Sequence, residues 1–258
     1  MSSGKPLQGR VAVVTGATSG LGRRFAHVLS DAGAAVALMG RRQDRLEAEV
    51  AAITAKGGHA AAINLDVADA KAIAPAFDRV ELELGPLSIL INNAGVGGEG
   101  AALDISVEDF DRAFDINVRG VFFAAREAAK RMIANGEAAG GNARIVNIAS
   151  IAATTVLPGL SVYCASKAAV AMMTKALARE WARPMIAVNA ICPGYIETEI
   201  NAHWFKTEGG QKQIKGFPRR RLMDEDALDE ALLMLVGRAG GAITGSLFTI
   251  DDGQSLQP

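Results

Sequence analysis

The chain has 258 residues, with 27 Lys and Arg against 28 Asp and Glu, a formal charge of −1, and half of its residues hydrophobic. That balance argues against a general nucleic-acid binder or a protein drawn to anionic membranes. No apolar run approaches the roughly 20 residues that span a bilayer, and the opening MSSGKPLQGR lacks the apolar segment of a secretory signal. Two cysteines, Cys164 and Cys192, make no disulfide framework and suit a reducing compartment, so a cytoplasmic protein is expected.

Residues 11–15, VAVVT, form a short β-branched run, and Phe25, Val28 and Leu29 then recur at helical spacing up to Gly33. A second apolar run covers 34–40, and a charged amphipathic helix continues to Gly57-Gly58. Residues 59–67 predict a third strand, 69–85 a helix that contains Pro75, and 87–95 a fourth strand. Residues 106–136 read as one long helix or two end to end, started by Ser106 and Asp109. Further strands are expected at 143–150, 185–194 and 246–253, with helices at 160–182 and 224–237. Strands that alternate with helices and are apolar throughout imply a parallel sheet covered on both faces. With no linker or internal repeat, a single doubly wound α/β domain over 1–258 is the economical reading.

Residues 15–22 read TGATSGLG. The spacing G-x-x-x-G-x-G is neither the dinucleotide fingerprint nor the P-loop. A strand, a glycine-rich turn and a helix start still make an anion site, because glycines allow close approach and the helix N-terminus supplies free N–H groups. A pyrophosphate fits; a plain βα turn is the alternative. At the end of the second strand stand Gly40 and Arg41, where an NAD-binding turn would carry an acidic residue. Arg41 can pair with a 2′-phosphate, so NADP(H) is favoured and NAD(H) stays possible. Arg42 is expected only to begin a solvated helix face.

Further motifs occur in order: LDV (65–67), NNAG (92–95), Asn117, Ser150, YCASK (163–167) and PGYIET (193–198). Together with TGATSGLG they make the chain resemble the short-chain dehydrogenase/reductase family over nearly its whole length. The resemblance implies one doubly wound domain with a seven-stranded parallel sheet, and hydride transfer between NAD(P)(H) and an alcohol/carbonyl pair. It implies that Thr15, Gly16, Ser19, Gly20, Leu21 and Gly22 form the cofactor turn and that Asp66 and Val67 meet the adenine. Asn93, Ala94 and Gly95 would lie under the ribose, and Pro193, Gly194, Ile196 and Thr198 beside the nicotinamide. Asn117, Ser150, Tyr163 and Lys167 would be the catalytic set, with Tyr163 and Lys167 also touching cofactor.

The chemistry of those residue types agrees. A phenol with pKa near 10 exchanges protons poorly at neutrality. Lys167, one helical turn from Tyr163, is expected to lower that pKa, while Ser150 hydrogen-bonds the carbonyl oxygen as charge develops. Taken singly each has a plain reading: a packed Tyr with a solvated Lys, a helix-capping Ser, an Asn bonded to its own backbone. Ser150 has no G-x-S-x-G elbow around it, and His27, His59 and His203 lack metal-ligand spacing.

Residues 199–223 occupy the family's substrate-lid position. There Trp204 and Phe205 imply an aromatic pocket wall, and Arg219-Arg220-Arg221 are expected to be solvated or to meet a subunit or the acidic 224–230 segment. Ala152, Ala153, Val156 and Leu157 would make another wall, suiting an uncharged, moderately hydrophobic ketone or secondary alcohol. Ala168, Ala169, Met172, Met173 and Ala176 suit a close helix–helix interface, and with the family's habit they lead to an expected homotetramer, a dimer second. A non-catalytic cofactor-binding regulator and a dehydratase or epimerase on the same scaffold remain alternatives.

Overall fold

The computed structural model describes residues 4–256 apart from Glu99 and Ile200. Its strands are β1 (Val11–Thr15), β2 (Ala35–Gly40), β3 (His59–Asn64), β4 (Leu87–Asn92), β5 (Arg144–Ile148), β6 (Ala187–Pro193) and β7 (Leu247–Ile250). They form one parallel sheet in the order β3-β2-β1-β4-β5-β6-β7. The main helices are α1 (Gly20–Asp31), α2 (Gln43–Ala55), α3 (Ala70–Leu84), α4 (Val107–Phe114), α5 (Val121–Ala134), α6 (Ser161–Glu180), α7 (Ala202–Phe205), α8 (Glu208–Gly216) and α9 (Asp229–Val236). The chain runs outward from β1 to β3, then returns to place β4 on the other side of β1. Loops leaving the carboxyl ends of β1 and β4 therefore part in opposite directions and open a crevice.

Strand side chains alternate between faces. Val11 and Val13 join Phe77 of α3, Ala124 of α5 and Leu177 of α6, whereas Ala12 and Val14 join Phe25 of α1, Leu46 of α2 and Leu232 of α9. With helices on both faces the central strands must be apolar throughout, as the sequence shows. Phe25 and Phe77 are fully buried, each worth about 1.5–3 kcal/mol relative to exposure.

Several strands stop short of their apolar runs, because the residues past them turn into the crevice loops. The α3 helix continues through Pro75, held to the sheet by buried Ile73, Ala76, Phe77 and Val80. Residues 107–134 are continuous helix with a π-helical segment, Asp115–Gly120, between α4 and α5. Ser106 caps its start, accepting from the Asp109 N–H at 3.0 Å. The final strand ends at Ile250, and the residues after it turn back towards Gly194.

Candidate active site

The floor of the crevice is built by backbone contact. Gly16 has φ +68°, and a Cβ on it would stand 2.8 Å from the Ala94 Cα; a Cβ on Gly22 would overlap the Gly16 carbonyl oxygen and the Asn93 amide nitrogen. Thr15 Oγ1 accepts from the N–H groups of Asn93 and Ala94, both at 3.0 Å. The Asn93 amide donates to the Thr15 and Gly16 carbonyls at 3.0 and 3.3 Å. Ser19 stands at the N-cap of α1 with no side-chain capping bond. The first-turn N–H groups of Gly20, Leu21 and Gly22 are thus left without a side-chain acceptor. Tight glycines under uncapped helix donors fit the pyrophosphate of a dinucleotide.

Farther along the same cleft, α6 carries Tyr163 and Lys167 one turn apart. Lys167 Nζ lies 5.6 Å from the centre of the Tyr163 ring and donates to the Ile148 carbonyl at 2.9 Å. Ser150, just past β5, accepts from the Ala152 N–H at 3.1 Å and so caps a short 3-10 turn, which leaves its own hydroxyl hydrogen to donate. The π-helical segment holds Asn117, fully buried. Its carboxamide accepts from the Val96 N–H at 2.8 Å and donates to the Val96 carbonyl at 2.9 Å and to Ser166 Oγ at 3.0 Å. Asn117 is therefore spent on the loop after β4 rather than on its own helix. A Cβ on Gly95 would sit 3.3 Å from Asn117 Oδ1 and 3.5 Å from Lys167 Nζ, so a glycine keeps these two groups close.

Burial dominates both titrating groups. It draws Lys167 down to about 8, with the Cys192 thiol opposing, and pushes Tyr163 above the usual phenol range, with the Ser150 hydroxyl opposing. The expected lowering of Tyr163 by Lys167 is not seen in the chain alone. The ammonium lies over the ring and bonds a backbone carbonyl, so lost hydration decides the direction.

A buried polar chain beneath the site escapes sequence reasoning. Asn92 donates to Asn147 Oδ1 at 3.0 Å, Asn147 to Thr174 Oγ1 at 2.9 Å, and Thr174 to the Val170 carbonyl at 2.8 Å. It ties β4, β5 and α6 together. Its only sequence signal is an Asn inside each of two apolar strands.

The cleft has a volume of about 610 Å³ and runs from Arg41 and Asp66 at one end to Tyr163 and Tyr195 at the other. Asp66 accepts from the Ala68 N–H at 3.0 Å and lies 3.8 Å from Arg41 Nη1; Val67 packs behind it against Gly120. Arg42 begins α2 and is exposed, as expected, but it also has partners, Glu199 among them. It lies over the glycine loop, donating to Thr18 Oγ1 at 3.1 and 2.5 Å and to Ser19 Oγ at 2.9 Å. Pro193, Gly194, Ile196 and Thr198 line the opposite rim. Trp204 and Phe205 are not among its lining residues: the Trp204 ring covers Gly209, and buried Phe205 backs Tyr195 edge-on at 5.8 Å. Tyr195 faces the cleft instead, stacked at 5.3 Å on Phe217. Arg219 and Arg221 pair with Asp252 at 2.7 and 2.9 Å rather than with the 224–230 segment.

Residues 10–209 match the short chain dehydrogenase family. The chain belongs to that family. Its members are oxidoreductases that bind NAD(P) and act on small molecules. The chain is 36% identical to D-threitol dehydrogenase of Mycolicibacterium smegmatis over 97% of this chain and 95% of that one. It is 33% identical to gluconate 5-dehydrogenase of Gluconobacter oxydans, covering 96% and 95%. A short chain dehydrogenase from Burkholderia cenocepacia, solved in complex with NADP, matches with a TM-score of 0.89 and 36% identity over 96% of this chain and 99% of that one. Among the described residues no helix is long and apolar enough to cross a membrane.

Proposed function

We propose that the protein is an NADP(H)-dependent oxidoreductase that interconverts a secondary alcohol and a ketone, with Tyr163 as general acid and base. The observation that carries the reading is one cleft that joins uncapped helix donors, two arginines at one end, and Ser150, Tyr163 and Lys167 at the other. When bound, the nicotinamide supplies or accepts the hydride. Tyr163 donates its phenolic proton to the carbonyl oxygen in reduction and takes it back in oxidation. The Ser150 hydroxyl hydrogen-bonds the same oxygen. Lys167, fixed by the Ile148 carbonyl, stabilises the phenolate left behind. Asn117 holds the Val96 loop beside Lys167. Arg41 takes the 2′-phosphate, and Asp66 and Val67 flank the adenine.

Leu157, Leu160, Ile151 and Tyr195 line the substrate end and favour an uncharged, moderately hydrophobic ketone or alcohol. Residues 199–223 act as its lid on one domain spanning 1–258. Exposed Phe110, Phe122 and Met172 on α4, α5 and α6 support burial in a homotetramer, which light scattering tests. The free thiols Cys164 and Cys192 suit the cytoplasm.

The test is nicotinamide absorbance with NADPH and with NADH against aryl and alkyl ketones. Turnover favouring NADPH and abolished by Tyr163→Phe is expected. Preference for NADH overturns the cofactor choice, and turnover that survives in Tyr163→Phe overturns the mechanism.

A further inference from the structure

The chain has two tyrosines, and both line the cleft. Tyr163 is the acid and base of the function proposed above. Tyr195, directly after Gly194, has no task in it. Packing alone does not call for a phenol there. The Tyr195 ring stacks on Phe217 at 5.3 Å and meets Phe205 edge-on at 5.8 Å, contacts that a phenylalanine would make as well. Ile151, Leu157 and Leu160 at the same end are apolar. The Tyr195 hydroxyl is thus a polar group set among apolar ones.

The residue is held at both ends. Gln254, which is buried, accepts from the Tyr195 N–H at 2.6 Å and donates to its carbonyl at 3.3 Å. The Met223 N–H donates to the same carbonyl at 3.0 Å. At the hydroxyl, burial pushes the phenol above its usual range and a hydrogen bond from the Gln213 side chain on α8 opposes that rise. The Gln213 carbonyl oxygen is taken by Trp204 Nε1 at 2.7 Å, so its NH2 is the end left for the phenol oxygen. Tyr195 then accepts from Gln213, and its own hydroxyl hydrogen is left to donate. The two phenols are also within electrostatic reach: burial is the main cause of the raised Tyr163 pKa, and Tyr195 adds to it.

We propose that Tyr195 is a specificity-determining residue that donates a hydrogen bond to a second oxygen of the substrate, so that the site prefers a hydroxyketone, and the diol it interconverts with, to the same ketone without the hydroxyl. The inference rests on the alcohol/ketone reading of the cleft. With the reacting oxygen on Ser150 and Tyr163, the second oxygen reaches Tyr195 a few bonds along the substrate, and the carbon skeleton lies against Ile151, Leu157 and Leu160. A ketone that lacks the second oxygen displaces water from the Tyr195 hydroxyl and puts nothing in its place. Tyr195 moves no proton in the reaction, so its effect falls on binding.

The test uses the whole chain, with NADPH and with NADH, on two matched pairs of ketones: α-hydroxyacetophenone against acetophenone, and acetoin against butanone. In the wild type the hydroxylated member of each pair is expected to have the higher kcat/KM by about tenfold, the size of one neutral hydrogen bond. Tyr195→Phe keeps the ring and its stacking. It should bring that ratio close to one, through KM rather than kcat, while a cofactor titration shows that the variant is folded. A ratio near one in the wild type, or a wild-type ratio kept by Tyr195→Phe, overturns the second-oxygen contact and leaves the alcohol/ketone reading standing. Equal losses on both members of a pair give Tyr195 a structural role only and overturn the contact in the same way. No turnover of either pair with either cofactor overturns the alcohol/ketone reading and the inference with it.

Discussion

Along the inner wall of the cleft, from Gly16 to Gly95, backbone touches backbone. Along the outer wall, from Tyr195 to Met223, side chains reach across to distant segments. The inner wall has no room for one added carbon at Gly16 or Gly22, and its hydrogen bonds join the ends of neighbouring strands. The outer wall stands on Gln254, which accepts from the Tyr195 N–H at 2.6 Å, on Asp252 pairing with Arg219 and Arg221, and on Glu199 across the cleft. One wall is set by packing, which tolerates little. The other is set by long-range polar contacts: the Glu199 pair and the Arg219 and Arg221 pairs are partly exposed and can be exchanged for water at small cost, while Gln254 beneath them is buried. On the function proposed above, this division would suit a fixed cofactor turn facing a more adaptable substrate side.

The sharpest way to break the comparison is at the chemistry between the walls. Tyr163→Phe is expected to lower kcat by about a hundredfold to ten-thousandfold with cofactor Kd little changed, checked by steady-state kinetics and titration. On the inner wall, Gly22→Ala forces a methyl into the Gly16 carbonyl and Asn93. We expect a loss of about 1–3 kcal/mol, read by denaturant unfolding, together with weaker binding of either cofactor. Gln254→Ala tests the outer wall. It strips the partner from the Tyr195 N–H and from the Arg221 carbonyl, and a cost of about 1–3 kcal/mol should appear in the melt. KM should rise more than kcat falls, because the rim shifts and the proton path does not.

Arg41→Ala should weaken NADPH about tenfold, the size of a lost charge-assisted bond, and NADH much less. Equal losses would remove Arg41 from the 2′-phosphate. The smallest effect is the pH profile. Lys167 keeps its proton below about pH 8 and loses it above. If the ammonium is the form that stabilises the phenolate, ketone reduction holds below that value and declines as pH rises through it. A profile flat across pH 7–9 would detach Lys167 from the step.

The inner wall is largely legible in the sequence. Strand, glycines and helix start lie within twelve residues of one another, and steric demands on glycine are local. Asn117, Ser150, Tyr163 and Lys167 are legible as an ordered set; Ser150, Tyr163 and Lys167 line the cleft, and Asn117 lies buried behind Val96 and Ser166. The outer wall is not. Helical periodicity tells which face Arg42 occupies but not what lies across from it, and Glu199 is far away in sequence. Trp204 and Phe205 suggest an aromatic wall because they are the large residues of their segment. Tyr195 is the one aimed into the cleft, held there by Phe217 and Phe205 behind it and by Gln254 from the chain's far end. The direction of the Tyr163 shift is also beyond the reach of sequence, since spacing reports a neighbouring charge but not the water that folding removes.

The π-helical segment at Asp115–Gly120 bears on how long this helix has to be. A turn closed over one residue more than an α-helical turn takes up an extra residue without rotating the helix beyond it. Asn117 sits in that segment, so the side chain that grips Val96 stands where the helix takes up its extra residue. The site is an addition to the fold at a place where the fold has phase to spare.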